Sequence, residues 1–323
     1  METVAALSNK IDWPGDCAMP AVNAEQPTKT ARVSVIIPTK NRAADLERTI
    51  DTLLMQTVKP FELVLVDQSA QPSFTKNIPI LLRYIHDPSL SGLTAARNAA
   101  MAQAQGDIWL FLDDDVLLEA NFIEEVLKAY REGVIGVSGI ITNYSVPPLR
   151  QRLWERTFQH GPFHDDRQSV YRGLKRYSQF PSVPVRFLGG GLMSFRAEAI
   201  RAQRFDTNLT GACPGEDIDF CAGLPKGSTL LIAPRARLIH NRSSENRNDV
   251  HWLSVTSQVS YYMRERHWKG GLWNNFCFAW LKVGYAVLAS YSFLRTGSKE
   301  AWLAWRKGAK AGKALGTATA RAD

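Results

Sequence analysis

The chain has 323 residues, 45% of them hydrophobic and 22% charged, with 39 Lys and Arg against 31 Asp and Glu for a net charge of +8. That is ordinary globular composition; it excludes a disordered chain and suits one large α/β domain with a smaller appendage. The four cysteines, Cys17, Cys213, Cys221 and Cys277, make no CxxC pair, which excludes a dense disulfide framework and points to reduced thiols in a reducing compartment.

Residues 1–31 carry Pro14, Gly15, Pro20 and Pro27 among small and polar residues and read as a poorly ordered lead-in. They hold no basic stretch followed by an apolar core, so no signal peptide is expected. Order begins at 33–38 (VSVIIP), a β-branched run that reads as a buried strand. A polar turn, Thr39-Lys40-Asn41-Arg42, follows it. Leu46, Ile50, Leu53 and Leu54 then recur at helical spacing. Residues 61–66 form a second strand stopping at Asp67, and 81–85 a weaker third. Residues 92–104 are Ala-rich and helical, 107–112 a strand, 122–131 a helix and 134–141 another strand. Residues 143–182 read as a long irregular loop with Pro147, Pro148, Pro162 and Pro181. After Gly189-Gly190-Gly191, residues 215–220 open a helix, and 229–233 and 236–239 read as two late strands, the second ending at His240.

Strands alternating with helices at short spacing predict a doubly wound, mostly parallel α/β sheet. Thr39 and Asn41, then Asp67, then Asp113-Asp114-Asp115 fall at strand C-termini, which share one edge of such a sheet and line one crevice. Three adjacent carboxylates repel and raise each other's pKa values. A divalent cation relieves that repulsion, and oxygen ligands favour magnesium or manganese over zinc. Read alone, the triplet also fits a solvated acidic turn or a helix cap.

The C-terminal part changes character. Residues 272–294 are apolar and aromatic and about long enough to cross a bilayer, but Asn274, Asn275 and Lys282 interrupt them. Trp302 and Trp305 are interleaved with Arg306, Lys307, Lys310 and Lys313, a pattern of a helix lying on anionic lipid. A helix packed on the catalytic domain and a true span are the alternatives. No nucleic-acid motif accompanies the basic tail.

The segments 33–42 (VSVIIPTKNR), 64–67 (VLVD), 92–98 (GLTAARN), 111–116 (FLDDDV), 189–191 (GGG) and 215–220 (GEDIDF), in that order, together resemble a family 2 glycosyltransferase. The resemblance covers residues 32–245 and implies a GT-A fold, with a mixed sheet, and an inverting, nucleotide-sugar-dependent reaction. It implies that Pro38, Thr39, Asn41 and Arg42 line the nucleotide pocket, that Asp67 contacts the base, and that Arg97 and Asn98 lie near base, ribose or phosphates. Asp113–Asp115 match the metal-binding DxD motif, with Asp115 as ligand and Asp113 or Asp114 facing the ribose. Gly190 and Gly191 border the donor sugar, Asp217 is the general base with Glu216 beside it, and His240 joins Asp113 and Asp115 near a Mn2+ or Mg2+ ion. One departure stands out: many relatives follow the second strand with two aspartates, whereas here Gln68 follows Asp67.

The expected organisation is therefore a poorly ordered segment at 1–31, a catalytic domain at 32–245 and a helical extension at 246–323. Expected partners are a nucleotide-sugar donor, a glycan or lipid-linked acceptor and an anionic membrane surface, with no nucleic acid. The expected location is the cytoplasm, peripheral at the inner face of the cell membrane. Two alternatives are a sugar-phosphate nucleotidyltransferase and a non-catalytic nucleotide-sugar-binding scaffold. The first generally carries a glycine-rich loop after the first strand, and Thr39-Lys40-Asn41-Arg42 has no glycine. Asp217 as a mere helix cap and His240 as a structural residue are the plainer readings of those two positions.

Overall fold

The computed structural model describes residues 31–210, 213–241 and 249–319. The lead-in expected at 1–31 lies, apart from Ala31, outside the described residues. In chain order the strands are β1 (Val33–Thr39), β2 (Glu62–Asp67), β3 (Leu81–His86), β4 (Ile108–Phe111), β5 (Val116–Leu118), β6 (Val134–Ile141), β7 (Val183–Val185), β8 (Met193–Arg196) and β9 (Thr229–His240). They form one sheet in the order β3-β2-β1-β4-β8-β6-β9-β5, with β7 added to β9. The β3-β2-β1-β4 half is parallel. β8 runs antiparallel between β4 and β6, so the sheet is mixed.

The helices interleaved with these strands are α1 (Ala43–Leu54), α2 (Leu93–Met101), α3 (Phe122–Ala129), α4 (Leu149–Phe158), α5 (Arg167–Arg172), α6 (Leu174–Tyr177), α7 (Ala197–Ile200) and α8 (Glu216–Ala222). Side chains alternate across a strand, and here both faces are apolar. Val35 and Ile37 of β1, Leu63 and Leu65 of β2 and Leu110 of β4 join one core with Leu46, Ile50 and Leu53 of α1. Ile36, Val64, Val66, Trp109 and Phe111 join the other with Ala96 and Ala100 of α2 and Phe220 of α8. A strand buried on both sides reads as a continuous apolar run, which is why 33–38, 61–66 and 107–112 were legible.

Two elements differ from expectation. Residues 143–182 are not irregular: they contain α4, a 3-10 turn at Gly161–Phe163, α5 and α6. Trp154 is the one buried residue of α4, so no apolar stripe marks it. The two late strands are one strand, β9. Pro234 lies where its ladder with β6 is broken: Ser138 pairs with Ile232 but Ile140 already pairs with Arg237. A Cβ on Gly139 would stand 2.5 Å from the Ala236 carbonyl oxygen, so glycine admits the bulge on its partner.

β5 gave no separate signal in the sequence. It pairs antiparallel with β9, Val116 opposite His240. That pairing carries His240 to the acidic triplet across the width of the sheet edge.

Three long helices follow: α9 (Asp249–Arg266), α10 (Leu272–Thr296) and α11 (Glu300–Thr319). They belong to the same compact unit as the sheet. α11 lies against α9 through Gly308, Gly312 and Gly316, where added Cβ atoms would come within 2.2 Å, 2.1 Å and 2.7 Å of the Ser254, Gln258 and Tyr262 carbonyl oxygens. The tail aromatics expected to face lipid turn inward instead: Trp305 packs on Tyr285 with ring centroids 6.0 Å apart, and Trp302 packs on Trp305.

Candidate active site

The parallel half of the sheet delivers its strand tips to one edge, with Thr39 and Asp67 in register. An open cleft of about 770 Å³ lies over that edge. Of the residues expected at the site, it is lined by Pro38, Thr39, Asn41, Arg42, Arg97, Asp113, Asp114, Asp115, Gly190, Gly191, Glu216, Asp217 and His240. The acidic triplet and Asp217 thus open into the same space.

The three aspartates have different surroundings. Asp114 accepts a hydrogen bond from Thr39 Oγ1 at 2.7 Å and pairs with Arg42 Nη1 at 3.3 Å. Burial pushes its carboxyl up to about 6 against those two partners. Asp115 meets His240 Nε2 at 2.8 Å and Arg42 Nη1 at 3.0 Å. Burial works against its ionisation, but His240 and Arg42 outweigh it and hold the carboxyl below its ordinary value. Asp113 is the most accessible, with His240 Nε2 at 3.6 Å and Arg97 Nη2 at 3.4 Å. Asp113, Asp115 and His240 each offer one ligand atom, all within 4.8 Å of one another. Two carboxylates and one imidazole within reach of one point suit a divalent cation.

Asp217 sits in the first turn of α8, behind Gly215, which adopts φ 88° at the N-cap. The N-cap itself is Gly215, and Asp217 Oδ1 accepts the Ile218 amide at 2.8 Å within the first turn. Its Oδ2 receives Arg167 Nη1 at 2.5 Å and the Gly190 amide at 3.3 Å. Arg167 is itself fixed by Asp165, through Nε at 2.9 Å and Nη2 at 3.0 Å, and by the Leu188 carbonyl oxygen at 2.6 Å. The sequence reading missed Arg167. It stands 50 residues before Asp217, in the stretch read as loop, and no motif marks it.

One buried cation ties the two acidic groups together. Arg97, on α2, has no exposed surface. It donates from Nη1 to Glu216 at 3.0 Å and from Nη2 to the Gly190 carbonyl oxygen at 2.7 Å, and pairs with Asp113 as described. Burial, with Asp217 alongside, raises the Glu216 carboxyl above its ordinary value although Arg97 opposes the shift. The glycines explain the closeness. A Cβ on Gly190 would stand 2.3 Å from Glu216 Oε1, and one on Gly191 would stand 2.3 Å from Asp113 Oδ2. α8 is also held from behind: Asp219 pairs with His267 Nε2 at 2.6 Å and with Arg266 Nε at 2.8 Å.

Two expected residues are not brought into the cleft. Asn98 exchanges hydrogen bonds with the Phe205 backbone, 2.9 Å each way, and pins that loop. Asp67 has no exposed surface. Its carboxylate accepts the Ser69 and Ser73 amides at 2.9 Å and 2.6 Å, Ser73 Oγ at 2.7 Å and Tyr84 Oη at 2.6 Å. Three of these donors converge on Oδ2 and one on Oδ1. Gln68 lines the cleft and ties down the Leu90 and Gly92 carbonyl oxygens at 2.9 Å and 3.1 Å.

Asp67 yields a pH prediction. Burial opposes its charge, but the four donors hold its carboxyl well below the usual carboxylate range. A folded-state pKa below the unfolded value of about 3.9 stabilises the fold above that value, and the stabilisation is lost as pH falls. Asp67→Asn should cost about 1.5–3 kcal/mol at neutral pH, with the gap to wild type closing below about pH 4. Denaturant melts across pH check this; a gap independent of pH would refute it.

The family described as "Glycosyl transferase family 2" matches residues 34–201, a stretch that ends before Glu216, Asp217 and His240. The chain is 25% identical over 240 residues to the succinoglycan biosynthesis protein ExoM of Rhizobium meliloti (strain 1021), covering 71% of this chain and 72% of that one. It is 26% identical over 227 residues to the pre-mycofactocin glycosyltransferase of Mycobacterium tuberculosis (strain ATCC 25618 / H37Rv), covering 69% of this chain and 44% of that one. Among solved structures, the mannosyltransferase PcManGT from Pyrobaculum calidifontis, in complex with GDP-Man and Mn2+, superposes with a TM-score of 0.53 at 18% identity, over 91% of this chain and 89% of that one. That likeness identifies the fold as GT-A.

Proposed function

The chain belongs to glycosyl transferase family 2, and from that premise we propose a specific reaction for this glycosyltransferase: it moves a sugar from a nucleotide-sugar donor to a hydroxyl of a glycan or lipid-linked acceptor, with inversion. Asp113, Asp115 and His240 would hold a divalent cation, Mn2+ or Mg2+. When bound, that ion supplies positive charge to the departing diphosphate. Thr39, Asn41 and Arg42 border the nucleotide, and Gly190 and Gly191 let the donor sugar approach backbone closely. Asp217 takes the proton of the acceptor hydroxyl as its oxygen bonds to the anomeric carbon. The bond from that carbon to the diphosphate oxygen breaks on the opposite side, and its electron pair leaves with the diphosphate. Glu216 holds Arg97, which keeps the base and the cation site at a fixed separation.

The observation that carries this reading is the shared cleft: a carboxylate–imidazole cluster and an Arg-anchored aspartate face one space, joined by a single buried arginine. Residues 32–245 carry the reaction, and 246–323 form an extension that keeps the enzyme at the inner face of the cell membrane. The exposed apolar surface of α10 supports that placement.

A panel of nucleotide-sugars with manganese or magnesium tests the proposal. Wild type should release nucleoside diphosphate only with metal present, and Asp115→Asn should lower that release by about 10²–10³-fold. Equal release in the presence of a chelator, or full activity of Asp115→Asn, would overturn it. Pyrophosphate release from a nucleoside triphosphate and a sugar phosphate would instead identify a nucleotidyltransferase.

A further inference from the structure

α10 is a helix of 25 residues, apolar enough by composition to cross a bilayer, yet only 28% of its apolar window is buried. One face carries Cys277, Leu281, Tyr285 and Ala289, all fully buried, and it is tied to the rest of the fold. Trp154 Nε1 donates to the Gly284 carbonyl oxygen at 2.8 Å, Trp280 Nε1 to the Thr157 carbonyl oxygen at 2.7 Å, and Tyr285 Oη meets Ser260 Oγ at 2.8 Å. A bilayer-spanning helix would have to abandon these bonds and the aromatic packing of Trp154 on Tyr285 and Phe158 on Trp280. α10 therefore stays on the protein.

The other face is a stripe at steps of three, four and finally seven: Trp273, Phe276, Trp280, Val283, Val287 and Leu294, all exposed. It runs the length of the helix, about 37 Å at 1.5 Å per residue. α4 lies alongside, as its ring contacts with α10 place it, and adds Leu149 and Leu153, 64% and 56% exposed. Such a plateau is uncommon on a soluble surface unless something covers it.

The charges indicate what covers it. α10 contains no acidic residue, and Lys282 and Arg295 on it are exposed. α4 presents Arg150, Arg152 and Arg156; its one acidic residue, Glu155, is paired with Arg172. A cavity of about 330 Å³ ends the plateau, lined by Arg150 and Arg295 together with Trp154, Trp252 and Tyr291. Tryptophan and tyrosine on an apolar stripe, rimmed by arginine and lysine with no unpaired carboxylate on either helix, is the signature of a surface seated in an anionic lipid headgroup layer.

We infer that the α4–α10 face is the membrane-docking surface, that α10 lies in the plane of an anionic bilayer, and that the Arg150–Arg295 cavity accepts a lipid phosphate at the end of the stripe. This deepens the peripheral placement proposed above by naming the surface, and it moves the contact away from the Trp302–Lys313 tail. It also orients the cleft. The 3-10 turn Gly161–Phe163 packs on α10, with Phe163 stacked on Phe278 at 5.4 Å. Four residues later the chain reaches Arg167, the partner of Asp217. The acceptor side of the cleft is therefore coupled to the lipid-facing layer, as a lipid-linked acceptor requires; this last step rests on the proposed reaction, whereas the docking does not.

The test is flotation of the full chain with vesicles of phosphatidylglycerol and phosphatidylcholine, and of phosphatidylcholine alone. Wild type should float with the anionic vesicles and detach in high salt. Phe276→Glu with Val287→Glu, both exposed positions, should lower the bound fraction tenfold or more, with melting point and metal-dependent donor hydrolysis unchanged. Arg150→Glu with Arg295→Glu should abolish the preference for anionic vesicles. Wild type remaining soluble with anionic vesicles, or Phe276→Glu/Val287→Glu floating like wild type, would overturn the inference. So would a wild-type dimer that this variant makes monomeric, because the stripe would then belong to a second copy. Flotation without donor turnover would sink the proposed reaction while leaving the docking surface standing.

Discussion

Replacing Arg97 with methionine is expected to cost about 3–5 kcal/mol of stability, the penalty for removing one partner of a buried ion pair. For a chain of this size that corresponds to a fall in melting temperature on the order of 10 °C. Methionine keeps the apolar stem of the side chain but not the guanidinium, whose carbon lies 5.3 Å from the centroid of the Phe205 ring. What disappears is the charge facing Glu216 and Asp113 and the hydrogen bond to Gly190. Glu216 is the group most exposed to that loss, because burial already raises its carboxyl and Arg97 is the opposing influence. The control is Glu216→Gln in the same background. With the carboxylate gone there is less buried charge left to compensate, so the double variant should recover about 0.5–3 kcal/mol. It should not recover turnover, since Asp113 still lacks its guanidinium. Thermal and denaturant unfolding of the four proteins measure the cycle. A change of only a degree or two for Arg97→Met would show that the cation does not hold the site together.

The second large effect is kinetic. Asp217→Asn preserves shape and should preserve the fold, because Arg167 keeps its two bonds to Asp165. It removes the carboxylate proposed to take the acceptor proton, so on that proposal kcat should fall by about 10²–10⁴-fold. KM for the donor should change little, because the nucleotide and cation contacts lie across the cleft. The accompanying check is Arg167→Met. A base fixed by Arg167 should lose turnover when that arginine goes, although Asp217 itself is intact. Steady-state kinetics with separate titrations of donor and acceptor distinguish the cases. An Asp217→Asn variant within a few-fold of wild-type kcat, or one that loses donor affinity instead, would exclude this aspartate as the base.

The parts of the molecule that were legible in the sequence are those where chemistry repeats locally. Val33, Val35 and Ile37 alternate with Ile36 across β1, and both sets are buried; an apolar run of that length has few other uses. Asp113–Asp115 and Asp217 stood out because charge at the end of an apolar strand, or at the start of a helix, contrasts with its neighbours. The loop at 143–182 was opaque for the opposite reason. Trp154 of α4 and Phe163 pack with α10, whereas Val170 of α5 joins the core on the sheet, so the apolar residues of this stretch serve different partners and follow no regular period. Asp67 and Asn98 carry residue types that a nucleotide could use, and only the structure shows the internal hydrogen bonds each of them also makes.

By itself the sequence determined the α/β alternation, the strand tips on one edge and the two acidic groups, because strand period, helix period and local charge are properties of neighbouring residues. Tertiary structure alone decided that His240 meets Asp115, through the β5–β9 pairing, and that Arg97 and Arg167 clamp the two ends of the cleft. It also decided that α10 rather than the tryptophan-rich tail presents an apolar face to solvent. Each of those contacts joins residues distant along the chain, and such a contact is set by how whole elements pack, which no local pattern encodes.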